Sequence, residues 1–336
     1  MRAAFTVLVD PDDAPVWTHA ALAAHQPGQG RIVVHPTPSA SHPPGLAQDV
    51  LAALGKTLPG QKAGVPRHRA GWADMVRPAW TAAACWIHAH RIGHLIVIRA
   101  HTQTPMRWAQ LAQLQRRTGI HLTLLWHDAP ARLGNRAQAW QERPWVVVGD
   151  EERARRRLRH NGRRPVALTH RQGSRTSKTA WRGTEAEDED RAAVIRQLAQ
   201  VGHPLHAGLL TAQIVSDPVQ AEQLAHVRLT DLAPDATAFA LPDPARPGSL
   251  ARTWHPVPEW ARPALVAARA WHYLTGHPYS SRRIFQHSNF HHHNQLIDIA
   301  RELGINAAID RLDGDPAWPR NRVRAGHSDG AGHRDV

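Results

Sequence analysis

Residues 93–128 read GHLIVIRAHTQTPMRWAQLAQLQRRTGIHLTLLWHD, and this stretch decides the fold class. It opens with the apolar run Leu95, Ile96, Val97 and Ile98, turns through a short polar segment, and continues with Leu111 and Leu114 on one face of an amphipathic segment. A second run of β-branched residues and leucine, 120–126, closes it. This order predicts strand, helix, strand. Neither apolar run alternates strictly with polar residues, so both strands are expected to be covered on both faces. The helix between them is the crossover that parallel pairing requires. The stretch therefore reads as the middle of an α/β domain.

The same pattern extends upstream and downstream. An apolar run at 4–9 stops at Asp10-Pro11-Asp12-Asp13, and a helix is expected from Pro15 through Ala23. A strand at 31–35 and a helix at 45–54, ended by Gly55, come next. Residues 56–70 read as a loop, 72–90 as one long apolar helix, and 145–148 as a last strand. Counting strand starts at Ala4, Arg31, Leu95, Ile120 and Trp145 gives a mostly parallel sheet. The right-handed crossover rule closes it as a sandwich with helices on both faces.

The central stretch resembles the transposition-type ATPases of the AAA class. In that family a strand ends in Asp-Glu-Ala-His, and a leucine-rich helix leads to Arg-Thr-Gly-Ile and another strand. Here Ile98-Arg99-Ala100-His101 and Arg117-Thr118-Gly119-Ile120 stand at those positions. The resemblance implies a P-loop-like domain over 1–150. The substitutions imply lost nucleotide chemistry, because the missing carboxylates hold magnesium and orient the attacking water. At the first strand, Thr18 aligned with the loop hydroxyl puts Val16 and Trp17 where Gly and Lys belong, and Asp10, Asp12 and Asp13 repel a phosphate. Asp10, Trp17, Thr18, Arg99 and His101 thus outline a degenerate nucleotide site. No cofactor is expected and no catalytic residue is assigned.

Residues 151–164 are a basic run, arginine-heavy sequence continues to 182, and 185–190 is acidic. This segment, 151–190, reads as a linker or as a basic arm that follows phosphates. Helices are expected at 192–201, 207–215 and 261–274, with strands at 238–242 and 251–258 as a hairpin. Residues 191–312 would then be a mainly helical second domain, and 313–336, rich in Gly, Pro, Arg and Asp, a disordered tail.

The stretch 192–274 resembles the first half of a tyrosine recombinase (phage integrase) catalytic domain. Leu224, Val227 and Asp231 fit that family's helix spacing, and Val257-Pro258 fits its hairpin exit. Gln220 and Gln223 stand where the family has its first catalytic arginine and a glutamate, and Tyr273 and Tyr279 lie too early to be the nucleophile. Strand cleavage by this route has no chemistry behind it.

Histidines offer no convincing metal set. Gly93 separates His88 and His90 from His94, and the consecutive His291, His292 and His293 point in different directions on any regular element, even with Asp298 nearby. Cys85, the single cysteine, sits in an apolar segment and reads as structural. No run approaches the roughly 20 apolar residues that span a bilayer, so a cytoplasmic protein without membrane contact is expected.

A net charge of +13 and a pI near 11.3 point to a polyanion. Lysine occurs only at 56, 62 and 178, and the abundance of Ala, Arg, His, Pro and Trp is also what a GC-rich coding sequence yields. The leading expectation is a non-catalytic, DNA-associated accessory protein of a mobile element or plasmid. Its phosphate contacts would be Arg153, Arg155, Arg156, Arg157, Arg159, Arg163, Arg164, Arg171, Arg175, Arg282 and Arg283, with Tyr279 and Phe285 available for stacking. The alternatives are a scaffold for an intact ATPase or recombinase and a histidine-dependent metal hydrolase.

Overall fold

Apolar runs without alternation become strands, and the first four of them are buried along their whole length. β1 (Phe5–Val9), β2 (Arg31–Val34), β3 (His94–Val97), β4 (His121–Trp126) and β5 (Trp145–Val148) form one five-stranded sheet in the order β2-β3-β4-β1-β5, and every pair in it is parallel. The computed structural model describes residues 5–38, 43–58, 72–133, 145–148, 150–159, 188–216, 224, 226–242, 252–276 and 283–285.

Successive side chains leave opposite faces of a strand, and the apolar clusters follow that period. Phe5, Val7, Ile32, Val34, Leu95, Val97, Leu122, Leu124 and Trp126 belong to a large core, whereas Leu8, Val33, Ile96, Ile98 and Leu125 belong to a smaller one. The large face is covered by α2 (Gly45–Ala53), α3 (Val76–Ala89) and α4 (Pro105–Thr118), which contribute Leu46, Leu51, Trp86, Trp108 and Leu111. The small face is covered by α1 (Pro15–Ala23) and α5 (Glu151–Leu158) through Trp17, Ala21, Ala154 and Leu158. On α4, Pro105 sits in the first turn, and Gly119 at φ +73° ends the helix by donating its N–H to the Gln115 carbonyl at 2.8 Å.

Two local expectations change. The single helix expected over 72–90 is a 3-10 turn (Trp72–Asp74), an extended residue at Met75 and then α3. Pro78 is the cause, since proline lacks an N–H and is tolerated only in a helix's first turn. The basic run that begins at 151 is a helix from its first residue and not a linker or free arm there. The Asp150 carboxylate accepts from the Arg153 amide at 2.8 Å, and Glu151 and Glu152 in the first turn with arginines in the last complement the helix dipole. Residues 160–187 lie outside the described residues.

Beyond them come α6 (Asp188–Gln200), α7 (Pro204–Val215), a hairpin of β6 (Ala238–Pro242) and β7 (Arg252–Pro256), and α8 (Arg262–Leu274). The acidic residues at 188–190 open α6. The two halves share a core. Ala207, Ala264, Ala267 and Ala270 join the large cluster beside the alanine-rich α3, and small side chains allow that approach. Gly208 has the closest crossing, because a Cβ there would lie 2.5 Å from Ala268 Cβ. Polar contacts lock the joint. Lys56 donates to the Ala199 carbonyl at 2.6 Å, the Thr57 amide to the Gln200 carbonyl at 2.7 Å, and Trp86 Nε1 to the Gly202 carbonyl at 2.6 Å. No helix among the described residues is long and apolar enough to cross a membrane.

Candidate functional site

The strand order creates a crevice. From β1 the chain runs to β2 at one edge of the sheet, whereas from β4, the neighbour of β1, it passes β1 to reach β5 at the other edge. Connections diverging from adjacent parallel strands leave a gap at their carboxyl ends, where open α/β sheets bind ligands. Asp10 and Asp13 follow β1, Arg99 and His101 follow β3, and His127 and Asp128 follow β4.

These side chains meet. Asp10, 4% exposed, lies with its Oδ2 at 2.9 Å from His127 Nδ1, and the imidazole of His127 is fully buried. Asp13 Oδ1 lies 3.2 Å from the same nitrogen, and Asp13 Oδ2 accepts from Arg99 Nη2 at 2.8 Å. The His127 amide donates to His101 Nδ1 at 3.3 Å, and the His101 ring stands edge-on to those of Trp126 and His127. Asp13 and Arg99, the two partners of the exposed ion pair, both have left-handed backbones, at φ 47° and φ 52°. An arginine there costs roughly 1–2 kcal/mol. Burial, helped by the neighbouring His127, holds the His101 ring below the usual histidine value. The Asp128 carboxyl is held low by the Ala129 amide, which donates to it at 2.7 Å, and by Arg132.

Of the five residues expected at a degenerate nucleotide site, the structure brings Asp10, Arg99 and His101 together. Trp17 is not among them: it is buried on the small face with Leu8, Ile96 and Ile98, where an indole contributes core area. Thr18 is half-buried within α1. Asp13 is drawn into the centre of the site, and His127 was not singled out by the sequence. The available signal was that both residues sit directly beyond strand ends, but which ends are neighbours depends on strand order.

The second candidate region is the outer face of α5. Arg153, Arg155, Arg156 and Arg159 are exposed and Arg157 is half-buried, while Ala154 and Leu158 anchor the helix. Glu151 pairs with Arg155 at 2.6 Å and Glu152 with Arg156 at 3.7 Å. Arg155 and Arg159 also line an open cleft of about 630 Å³ between α1 and α5, together with His19, Gln26 and Arg31. Arg31 is held by the carbonyls of Ala24 and Arg159 and by Gln26. Arg283 is elsewhere, bridged to Arg228 beside the second-half core, where it helps hold His226 low after burial itself. Arg163, Arg164, Arg171, Arg175 and Arg282, Tyr279 and the histidines at 291–293 lie outside the described residues.

The recombinase-like positions have structural roles. Asp231 Oδ2 accepts from the Arg228 amide at 2.9 Å and faces Arg252 Nε at 3.5 Å, and Leu224 and Val227 are core. No protein-family model matches the chain, and no curated protein and no solved structure matches it.

Proposed function

We propose that this chain is a DNA-associated accessory protein that binds nucleic-acid phosphates through the arginine face of α5 and the cleft beside it. The observation that carries the reading is the docking of α5. Ala154 and Leu158 fix the helix on α1, so its exposed arginines form a positioned surface that opens onto the cleft walled by Arg31. Placed guanidinium groups suit phosphates, and contacts of this kind set affinity without reading sequence. The overall charge of +13 favours the same partner.

In this reading the first half is a degenerate transposition-type AAA domain that does not hydrolyse ATP. β1 leads into Asp10-Pro11-Asp12-Asp13 rather than a glycine-rich loop with lysine, and β3 leads into Ile98-Arg99 rather than a carboxylate pair. A bound nucleotide phosphate would meet Asp10 and Asp13, which repel it. A cytoplasmic accessory of a mobile element or plasmid is the setting that fits this combination.

The test is binding to a labelled DNA duplex across salt concentrations. Log affinity is expected to fall linearly with log salt, by roughly 0.9 per phosphate contacted. Replacing Arg153, Arg155, Arg156 and Arg157 by alanine should lower that slope by up to about 3.6. If the wild-type chain does not bind at low salt, the charge is compositional and the scaffold reading takes over.

A further inference from the structure

We propose that Asp10, Asp13 and His127 bind one divalent transition-metal ion at the carboxyl ends of β1 and β4. The three side chains each offer a ligand atom, and all three atoms lie within 4.8 Å of one another. Two ligands about 2.1 Å from an ion are about 3.0 Å from each other at octahedral angles and about 3.4 Å at tetrahedral ones. His127 Nδ1 is 2.9 Å from Asp10 Oδ2 and 3.2 Å from Asp13 Oδ1, so both pairs match the edge of a coordination polyhedron.

Burial separates this group from an ordinary acidic surface cluster. Asp10 is 4% exposed, and among the described residues its carboxylate has His127 as its one hydrogen-bond donor. The imidazole of His127 is fully buried, with its Nδ1 aimed between the two carboxylates, and its Nε2 has no partner among the described residues. The ring therefore presents Nδ1, together with two carboxylate oxygens, to one point, while Nε2 lies on its other side and takes no part in the site. A metal ion on Nδ1 removes the proton shared there and leaves the ring's remaining proton on Nε2.

Charge and donor type narrow the ligand. With His127 neutral, as a metal ligand must be, two carboxylates face the single guanidinium of Arg99, so the cluster carries one net negative charge that attracts a cation. A mixed nitrogen and oxygen set suits Mn²⁺ or Zn²⁺, whereas Ca²⁺ and Mg²⁺ favour oxygen alone. Asp13 is 42% exposed and provides the entry side, with water to complete the coordination. Arg99 is the internal competitor, since its Nη2 already holds Asp13 Oδ2 at 2.8 Å. The site differs from the magnesium site implied by the AAA resemblance, whose carboxylates would stand at Ile98 and Arg99. It stands independently of DNA binding by α5.

The test is titration of the full chain with Mn²⁺, following the free ion by electron paramagnetic resonance, and with Zn²⁺ by calorimetry. One saturating equivalent is expected. Asp13→Asn should weaken binding at least tenfold while leaving the metal-free thermal melt close to wild type, because Asp13 is at the surface. Arg99→Ala should tighten binding several-fold by freeing Asp13, a gain that a purely structural ion pair does not produce. Absence of saturable binding in both wild type and Arg99→Ala overturns the proposal. So does binding that Asp13→Asn leaves unchanged, which would assign the ion to histidines elsewhere in the chain.

Discussion

Charge is built into the fold at the strand-end crevice and laid on top of it along α5. In the crevice, Asp10 and His127 are buried, bonded to each other and positioned by the ends of two hydrogen-bonded strands. On α5, Arg155 and Arg156 are exposed and their partners are glutamates one turn away on the same helix. A buried pair that loses one member leaves a desolvated polar group behind, whereas exposed pairs are largely screened by water. The first region should therefore respond to mutation in stability and the second in affinity.

The largest effect is expected at Asp10. Asp10→Ala leaves the buried His127 with the exposed Asp13 as its remaining acid partner and should cost about 2 kcal/mol of unfolding free energy, measured by urea denaturation. An unchanged midpoint would mean that the pair contributes nothing to the fold and would erase the contrast. The counterpart on α5 is the replacement of Arg153, Arg155, Arg156 and Arg157 by alanine, which should leave stability within about 1 kcal/mol, since each exposed helix pair contributes only ~0.3–0.5 kcal/mol. A loss of several kcal/mol there would make α5 a structural element first and a binding surface second.

Lys56 sharpens the comparison because it is buried like Asp10 but lies at the joint with no salt-bridge partner among the described residues. Its ammonium sits 3.4 Å from the centroid of the Trp86 ring and donates to the Ala199 carbonyl, contacts that offset part of its desolvation. Burial still pushes the amine down to about 7. The unfolded value is about 10.4, so between about pH 7 and 10 the unfolded chain holds a proton that the folded chain lacks. Lys56 thus makes stability rise with pH across that window, and its cost is present in full below it. Lys56→Met should stabilise the protein by about 1 kcal/mol near neutral pH, with the gain disappearing above roughly pH 10. Urea titrations at the two pH values check this, and a difference independent of pH would refute it.

What the sequence revealed follows the range of the forces involved. β1, β3, β4, α1, α4 and the β6–β7 hairpin were legible because apolar runs, Pro at a helix start and Gly119 at a helix end act within a few residues. The helical start of the basic run was missed although Asp150 and the two glutamates before it are a local signal. The crevice was only half legible. Asp10, Arg99 and His101 were marked through a family pattern, but the meeting of Asp13 with His127 requires β4 to lie beside β1, a pairing across more than a hundred residues with no local trace. Trp17 was marked by the same family alignment, and its helical spacing with Ala21 turns it to the core of the small face.

The smallest effect isolates the surface charge. Glu151 and Glu152 neutralise part of the arginine face through their pairs with Arg155 and Arg156. Glu151→Gln with Glu152→Gln frees both guanidinium groups for phosphate and should tighten binding to duplex DNA about threefold at low salt, with a steeper salt slope. The same change removes acids that favour the helix N-terminus, so a loss of about 1 kcal/mol in stability is expected alongside it. The opposite signs make the experiment decisive. If α5 faces the DNA, affinity rises while stability falls. If affinity and stability fall together, the glutamates serve only to hold the helix, and the phosphate-binding surface lies on another part of the chain.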